Sequence, residues 1–129
     1  MYRLMAALFL LLAATLAASA QNLVIPSYWL NQRGSEMKLY SWGADGTFKG
    51  VYINHAAGFA CQNTPYDLWG RAIGSHIKFM VIWTNWAADC KSKTVWQGRV
   101  RGGTIATRWI LTGHDFPPLR GTDIFQQQP

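Results

Sequence analysis

Trp83, Trp96 and Trp109 share the inward side of a series of alternating stretches with Asn31, Ser35, Tyr52, Asn54, Thr94 and Asp123. Large aromatic walls with a few convergent polar groups describe a pocket for one small molecule, apolar in its body and polar at one end. A competing reading makes the tryptophans ordinary core and the polar groups strand-end caps. That explains any one residue, but not so many strands each bringing a polar group to one end. Acid–base chemistry is a second option, with Asp123 working beside His55 or Glu36 in a small secreted hydrolase acting on RNA or a glycan. Glu36 directly follows Ser35 and so points to the opposite face. Neither Ser35 nor Ser92 stands in a G-x-S-x-G motif, so no catalytic residue is assigned. A third class, a carbohydrate-binding module, would stack sugars on exposed Trp42, Trp69 or Trp86.

The elements that must position these residues are strands. Short runs rich in Val, Ile, Thr, Tyr and Trp recur between Gly, Asn, Asp and Pro, whereas helical periodicity is hard to find. The pattern predicts strands over Ser27–Asn31, Glu36–Trp42, Thr47–Asn54, Tyr66–Ile73, His76–Trp86, Thr94–Arg101, Thr104–Thr112 and Gly121–Gln127. Asn31-Gln32-Arg33-Gly34, Gly43-Ala44-Asp45-Gly46, Gly74-Ser75 and Gly102-Gly103 are turn-forming, so neighbouring strands run antiparallel. Eight such strands close into a barrel or stack as a two-layer sandwich; a barrel leaves room for side chains or one small ligand. Within His76–Trp86, Ile77, Phe79, Val81 and Trp83 form the inner set. Met80 and Ile82, with Ile110 on a later strand, make the outer face apolar enough to be either a subunit contact or scattered surface residues.

The chain has 129 residues, among them seven Trp, five Tyr and six Phe, with 12 basic and 6 acidic side chains. That length supports one domain. Arg3, the apolar run from Leu4 to Leu16 and the small residues Ala17-Ala18-Ser19-Ala20 read as a signal peptide over residues 1–20, leaving 21–129 as the exported domain. The apolar run is too short for a spanning helix, so no membrane association is expected after cleavage. The basic residues are scattered, which fits a solvated surface and no nucleic-acid partner. In an exported chain the even count of Cys61 and Cys90 reads as one disulfide, and the singly placed His55, His76 and His114 argue against metal. Export places the protein in the periplasm or outside the cell.

Six strings give these features a likeness: Trp29-Leu30-Asn31-Gln32-Arg33-Gly34-Ser35, Asp45-Gly46-Thr47-Phe48-Lys49-Gly50-Val51-Tyr52, Val81-Ile82-Trp83-Thr84-Asn85, Thr94-Val95-Trp96-Gln97-Gly98, Thr107-Arg108-Trp109-Ile110-Leu111-Thr112 and Gly121-Thr122-Asp123-Ile124-Phe125. In order and spacing they resemble the avidin and streptavidin family of biotin-binding proteins. The resemblance implies an all-β, eight-stranded antiparallel up-and-down barrel that holds biotin as a bound ligand, with no cofactor and no catalysis. By family position Asn31, Ser35 and Tyr52 donate to the ureido carbonyl, while Asp123 and Asn54 accept from the ureido N–H groups. A carboxylate acceptor makes that pull charge-assisted, roughly twice as strong as a neutral bond. Trp83, Trp96 and Trp109 wall the bicyclic ring, Thr94 lies near the sulfur, and Ser92, in a loop, meets the valerate carboxylate. Lys91 and Lys93 flank Ser92 and either attract that carboxylate or stay solvated.

Two departures qualify the likeness. Tetrameric members supply a further Trp from a neighbouring subunit, but His114-Asp115-Phe116-Pro117-Pro118 contains none. The stretches around Cys61 and Cys90 look like the disulfide-linked loops of the dimeric, rhizavidin-like bacterial branch. That likeness implies a homodimer, or a higher oligomer, and a disulfide that either preorganises the pocket mouth or only stabilises the fold.

Overall fold

Apolar and polar side chains alternate along eight strands in the computed structural model, which describes residues 23–129. These are β1 (Ser27–Asn31), β2 (Glu36–Trp42), β3 (Thr47–Ile53), β4 (Pro65–Ile73), β5 (His76–Thr84), β6 (Asp89–Arg101), β7 (Thr104–Gly113) and β8 (Leu119–Gln128). Each strand pairs antiparallel with the next, and β8 returns to β1 through Tyr28↔Gln128 to Asn31↔Phe125, so the sheet closes into a barrel. Closure removes the sandwich alternative and leaves no strand edge unpaired. The expected leader, residues 1–20, lies outside the described residues.

One half of the barrel is filled by its own side chains. Trp29, Met37, Leu39, Phe48, Leu68, Phe79, Val100, Ile105 and Phe125 are all buried to within 1% of full burial. Each fully buried large apolar side chain contributes about 1.5–3 kcal/mol, which makes this half the rigid base of the molecule. The inner set of β5 is as expected: Ile77, Phe79, Val81 and Trp83 are buried, while Lys78 and Ile82 are exposed. On the outside, Trp69, Met80, Val95 and Ile110 stand opposite one another in register across β4 to β7, forming an apolar row.

The β1–β2, β3–β4, β5–β6 and β7–β8 connections all lie at the other end and form its mouth. In the first of them, Gly34 takes φ +82°, a conformation open to glycine without strain. Asn31 Oδ1 accepts from the backbone N–H of Arg33 at 2.9 Å and of Ser35 at 3.0 Å, so the turn is fixed. Cys61, in the β3–β4 loop, is bonded to Cys90 near the start of β6, with Cα atoms 6.3 Å apart across a sequence separation of 29.

Strand limits differ from the sequence pattern at the mouth. β6 begins at Asp89, so Ser92 belongs to a strand, not to a loop. Here the ladder is irregular: register shifts between Ile82 and Thr84, Lys91 adopts φ +48°, and Asp89 Oδ1 accepts from both Thr84 Oγ1 and the Lys91 N–H. A polar, bulged segment of this kind carries no period-two signal. β8 begins two residues early, at Leu119, whereas β3 and β5 end at Ile53 and Thr84, short of Asn54 and Trp86.

Candidate ligand-binding site

A cavity of about 250 Å³ opens at the mouth. Asn31, Tyr52, Asn54, Trp83, Ser92, Thr94, Trp96, Trp109 and Asp123 line it. Ser35 is fully buried directly behind this lining, where its Oγ contacts Asn54. Lys91 and Lys93 are exposed and do not line the cavity. The sequence reading overlooked Arg33, Phe59, Leu111, Phe116 and Leu119, which also line it. Phe116 lies in the His114–Pro118 segment, so the same chain supplies an aromatic ring there. Its ring packs so closely on Gly113 that a Cβ at that position would collide with it.

The polar end is held by hydrogen bonds that leave specific atoms free. Asn31 Nδ2 donates to the Tyr52 hydroxyl at 3.2 Å. Burial, and then the nearby Asp123 charge, push the Tyr52 hydroxyl far above the ordinary phenol range. Tyr52 therefore stays protonated and can donate at any physiological pH. Ser35 Oγ accepts from the His55 backbone N–H at 2.9 Å and donates to Asn54 Oδ1 at 3.4 Å. Asn54 Oδ1 also accepts from the Ala56 N–H at 3.0 Å, and its Nδ2 donates to the Ala60 carbonyl at 3.1 Å. Both lone pairs of that oxygen are thus engaged, one of them by a long bond.

Asp123 is contacted at both carboxylate oxygens. Trp96 Nε1 donates to its Oδ2 at 2.9 Å, and Gln32 Nε2 donates to its Oδ1 at 2.9 Å. Gln32 also donates to the Thr122 carbonyl and accepts from the Ile124 N–H, clamping β8 on both sides of the carboxylate. Arg33 Nε lies 3.4 Å from Oδ1.

The walls interlock. Trp96 stacks on Phe79 at 5.0 Å between centroids and lies 4.9 Å from Tyr52. Trp83 meets Tyr52 and Tyr66 edge-on, and its Nε1 donates to Thr94 Oγ1 at 2.8 Å. The Trp109 indole packs so closely against Gly121 that a Cβ there would collide with it. Offset and edge-to-face aromatic pairs are each worth about 0.5–1.5 kcal/mol beyond area burial, so the walls brace one another.

The other sequence candidates are placed elsewhere. His55 Nε2 faces Glu36 Oε2 at 2.9 Å and its Nδ1 faces Asn63 Oδ1 at 3.0 Å, outside the cavity and apart from Asp123. Tyr28 donates to the same Glu36 carboxylate at 2.7 Å. Trp42 and Trp86 are exposed at opposite ends of the barrel, at the end of β2 and in the β5–β6 connection, and Trp69 is exposed within β4. Among the described residues, no three His, Cys, Asp or Glu side chains gather as a metal site.

The His55–Glu36 pair ties the β3–β4 loop to β2, with a defined pH signature. Hydrogen bonding to Glu36 raises the His55 pKa above its ordinary 6.5, and hydrogen bonding to His55 lowers that of Glu36 below 4.5. The histidine contribution is complete below pH 6.5 and fades as pH rises through its raised folded value. The glutamate contribution is complete above pH 4.5 and fades as pH falls through its lowered folded value. Thermal melts of the native protein and His55→Asn are expected to differ most between pH 4.5 and 6.5 and to converge in alkali. A constant difference at all pH values would contradict this.

The fold and site together define a small-molecule-binding β-barrel. The avidin family model matches residues 19–116, and the chain belongs to the avidin family. It is 44% identical over 91 residues to afifavidin of Afifella pfennigii, covering 67% of this chain and 57% of that protein. The chain thus spans little more than half the length of that relative. A biotin complex of a shwanavidin variant superposes with a TM-score of 0.77 at 41% identity, covering 84% of this chain and 100% of that one. Rhizavidin gives 0.73 at 39% identity, covering 80% and 81%.

Proposed function

We propose that this chain is an exported, non-catalytic biotin-binding protein. The observation that carries the reading is the meeting of Asn31, Tyr52 and Asp123 at one polar end of a cavity walled by Trp83, Trp96 and Trp109. Membership of the avidin family, and the biotin complex of the shwanavidin variant, support it.

The geometry suggests how a ureido group is received. Its carbonyl oxygen takes the Tyr52 hydroxyl and an Asn31 N–H. When Ser35 turns its hydroxyl from the long 3.4 Å contact with Asn54 toward that same oxygen, Asn54 Oδ1 regains a lone pair for one ureido N–H. The other N–H bonds Asp123 Oδ2, beside the Trp96 donor. One hydroxyl rotation therefore serves both sides of the ligand. Ser92, on the cavity lining, is assigned to the valerate carboxylate and Thr94 to the sulfur side.

The apolar row Trp69, Met80, Val95 and Ile110 fits contact with a second copy of the chain, and we assign a homodimer to that face. Export with removal of residues 1–20 completes the reading, and the intact mass of protein recovered from the periplasm checks both cleavage and the disulfide.

Thermal melting with and without one equivalent of biotin tests the central claim. Tight binding to the folded state alone raises the melting temperature by mass action, by about 4 kcal/mol of stability at a thousandfold excess over Kd. An unchanged midpoint would sink the proposal. Light scattering on the same sample is expected to give twice the chain mass.

A further inference from the structure

Arg33 stands in an unusual position for a solvent-side cation. Its side chain is 40% exposed, yet its partner carboxylate on Asp123 is only 5% exposed. Gln32 and Trp96 donate to the two Asp123 oxygens at 2.9 Å, closer than Arg33 Nε at 3.4 Å, so the carboxylate alone does not fix where the guanidinium lies. The second contact explains the placement: the guanidinium carbon lies 5.9 Å from the centroid of the Phe59 ring. Phe59 in turn meets Trp109 edge-on at 6.0 Å. Asp123, Arg33, Phe59 and Trp109 thus form one chain of contacts running from β8, over the β1–β2 turn and the β3–β4 loop, to β7. Arg33, Phe59 and Trp109 all line the cavity, so this chain spans its mouth.

We propose that Arg33 is a latch: a positioning residue that fixes Phe59 over the mouth by presenting the guanidinium edge to Asp123 and its face to the phenyl ring. Arginine suits this because its planar group can do both at once; the compact ammonium of lysine cannot. The turn makes the latch stiff, because Asn31 Oδ1 holds the Arg33 N–H at 2.9 Å and so sets where the side chain begins. The buried carboxylate holds the inner end where salt screening is weak, while the ring contact is available only when the loop is closed. Phe59 lines the cavity, so a latch that holds its ring in place acts on ligand departure.

The ligand arm of this inference rests on the biotin reading, and the test separates the two. In native protein, Arg33→Leu and Arg33→Lys are expected to release labelled biotin about five- to tenfold faster, with little change in association. In a Phe59→Ala background the same substitutions are expected to change release by less than about twofold, because the ring they act through is gone. Undiminished effects in that background would overturn the latch, as would native release rates in both Arg33 variants. Independently of any ligand, backbone amide exchange in residues 57–62 is expected to accelerate in ligand-free Arg33→Leu by more than exchange in the core strands does. Unaltered exchange overturns the latch even if biotin binds. If native protein fails to bind biotin, the functional reading falls and the exchange result still decides the role of Arg33.

Discussion

Asp123→Ala is expected to weaken biotin binding about a thousandfold, roughly 4 kcal/mol, measured by titration calorimetry or competitive displacement. The size follows from what surrounds the carboxylate. Trp96 Nε1 and Gln32 Nε2 each donate to it at 2.9 Å, and Asp123 itself is only 4% exposed. Removing the carboxylate deletes a charge-assisted acceptor for the ligand and leaves the buried Trp96 Nε1 donor unpaired, at a cost of about 1–3 kcal/mol, while the exposed Gln32 keeps its bond to the Thr122 carbonyl. Asp123→Asn separates these terms, because it keeps an acceptor oxygen and is expected to lose less. Lys93→Ala is the contrast: Lys93 lies on the outer face of β6, and its loss is expected to leave affinity unchanged. Equal losses for Asp123→Ala and Lys93→Ala would contradict the assigned roles.

Removing the disulfide, by Cys61→Ser with Cys90→Ser, is expected to lower stability by about 2–4 kcal/mol. For a domain of this size that corresponds to a fall of roughly 10–25 °C in melting temperature by calorimetry. The reason is topological. The bond ties the β3–β4 loop to β6 across a sequence separation of 29, and that loop otherwise depends on side-chain contacts such as Asn54 to Ala60 and His55 to Glu36. Because Phe59 sits two residues from Cys61, biotin release is expected to quicken in parallel. Reductant added to native protein should reproduce both changes, and identical melts with and without reductant would refute the stabilising role.

Much of this was legible in the sequence, for reasons that differ by residue. The barrel interior could be read from alternation because a half-buried strand sorts its side chains with period two, as Ile77, Phe79, Val81 and Trp83 do. Closure could not, since the same pattern serves a sandwich; the β1–β8 pairing is a long-range event with no local signature. Ser92 reads as a loop residue because Asp89-Cys90-Lys91-Ser92-Lys93 faces water on one side and a polar cavity mouth on the other, so hydrophobic periodicity is absent from a real strand. Phe59 and Phe116 went unnoticed because an isolated aromatic in a connection carries no period, and only the packing of Phe59 on Trp109 and of Phe116 on Gly113 gives them a place. Arg33 was visible only as part of a turn. Its two-sided contact depends on where β8 and the β3–β4 loop arrive in space.

The pairing of Tyr28 with Gln128 brings the outer ends of the first and last strands together at the end of the barrel away from the cavity mouth. Mechanically, this makes the molecule anisotropic. Tension applied between those two ends loads the β1–β8 ladder as a zipper, opening one hydrogen-bonded pair at a time, because the bonds lie perpendicular to the strands. Tension between an immobilised ligand and either end instead runs along several strands and loads their ladders in shear. A tether on either end would therefore leave the binding mouth clear, and pulling through the ligand would meet greater resistance than pulling through both ends.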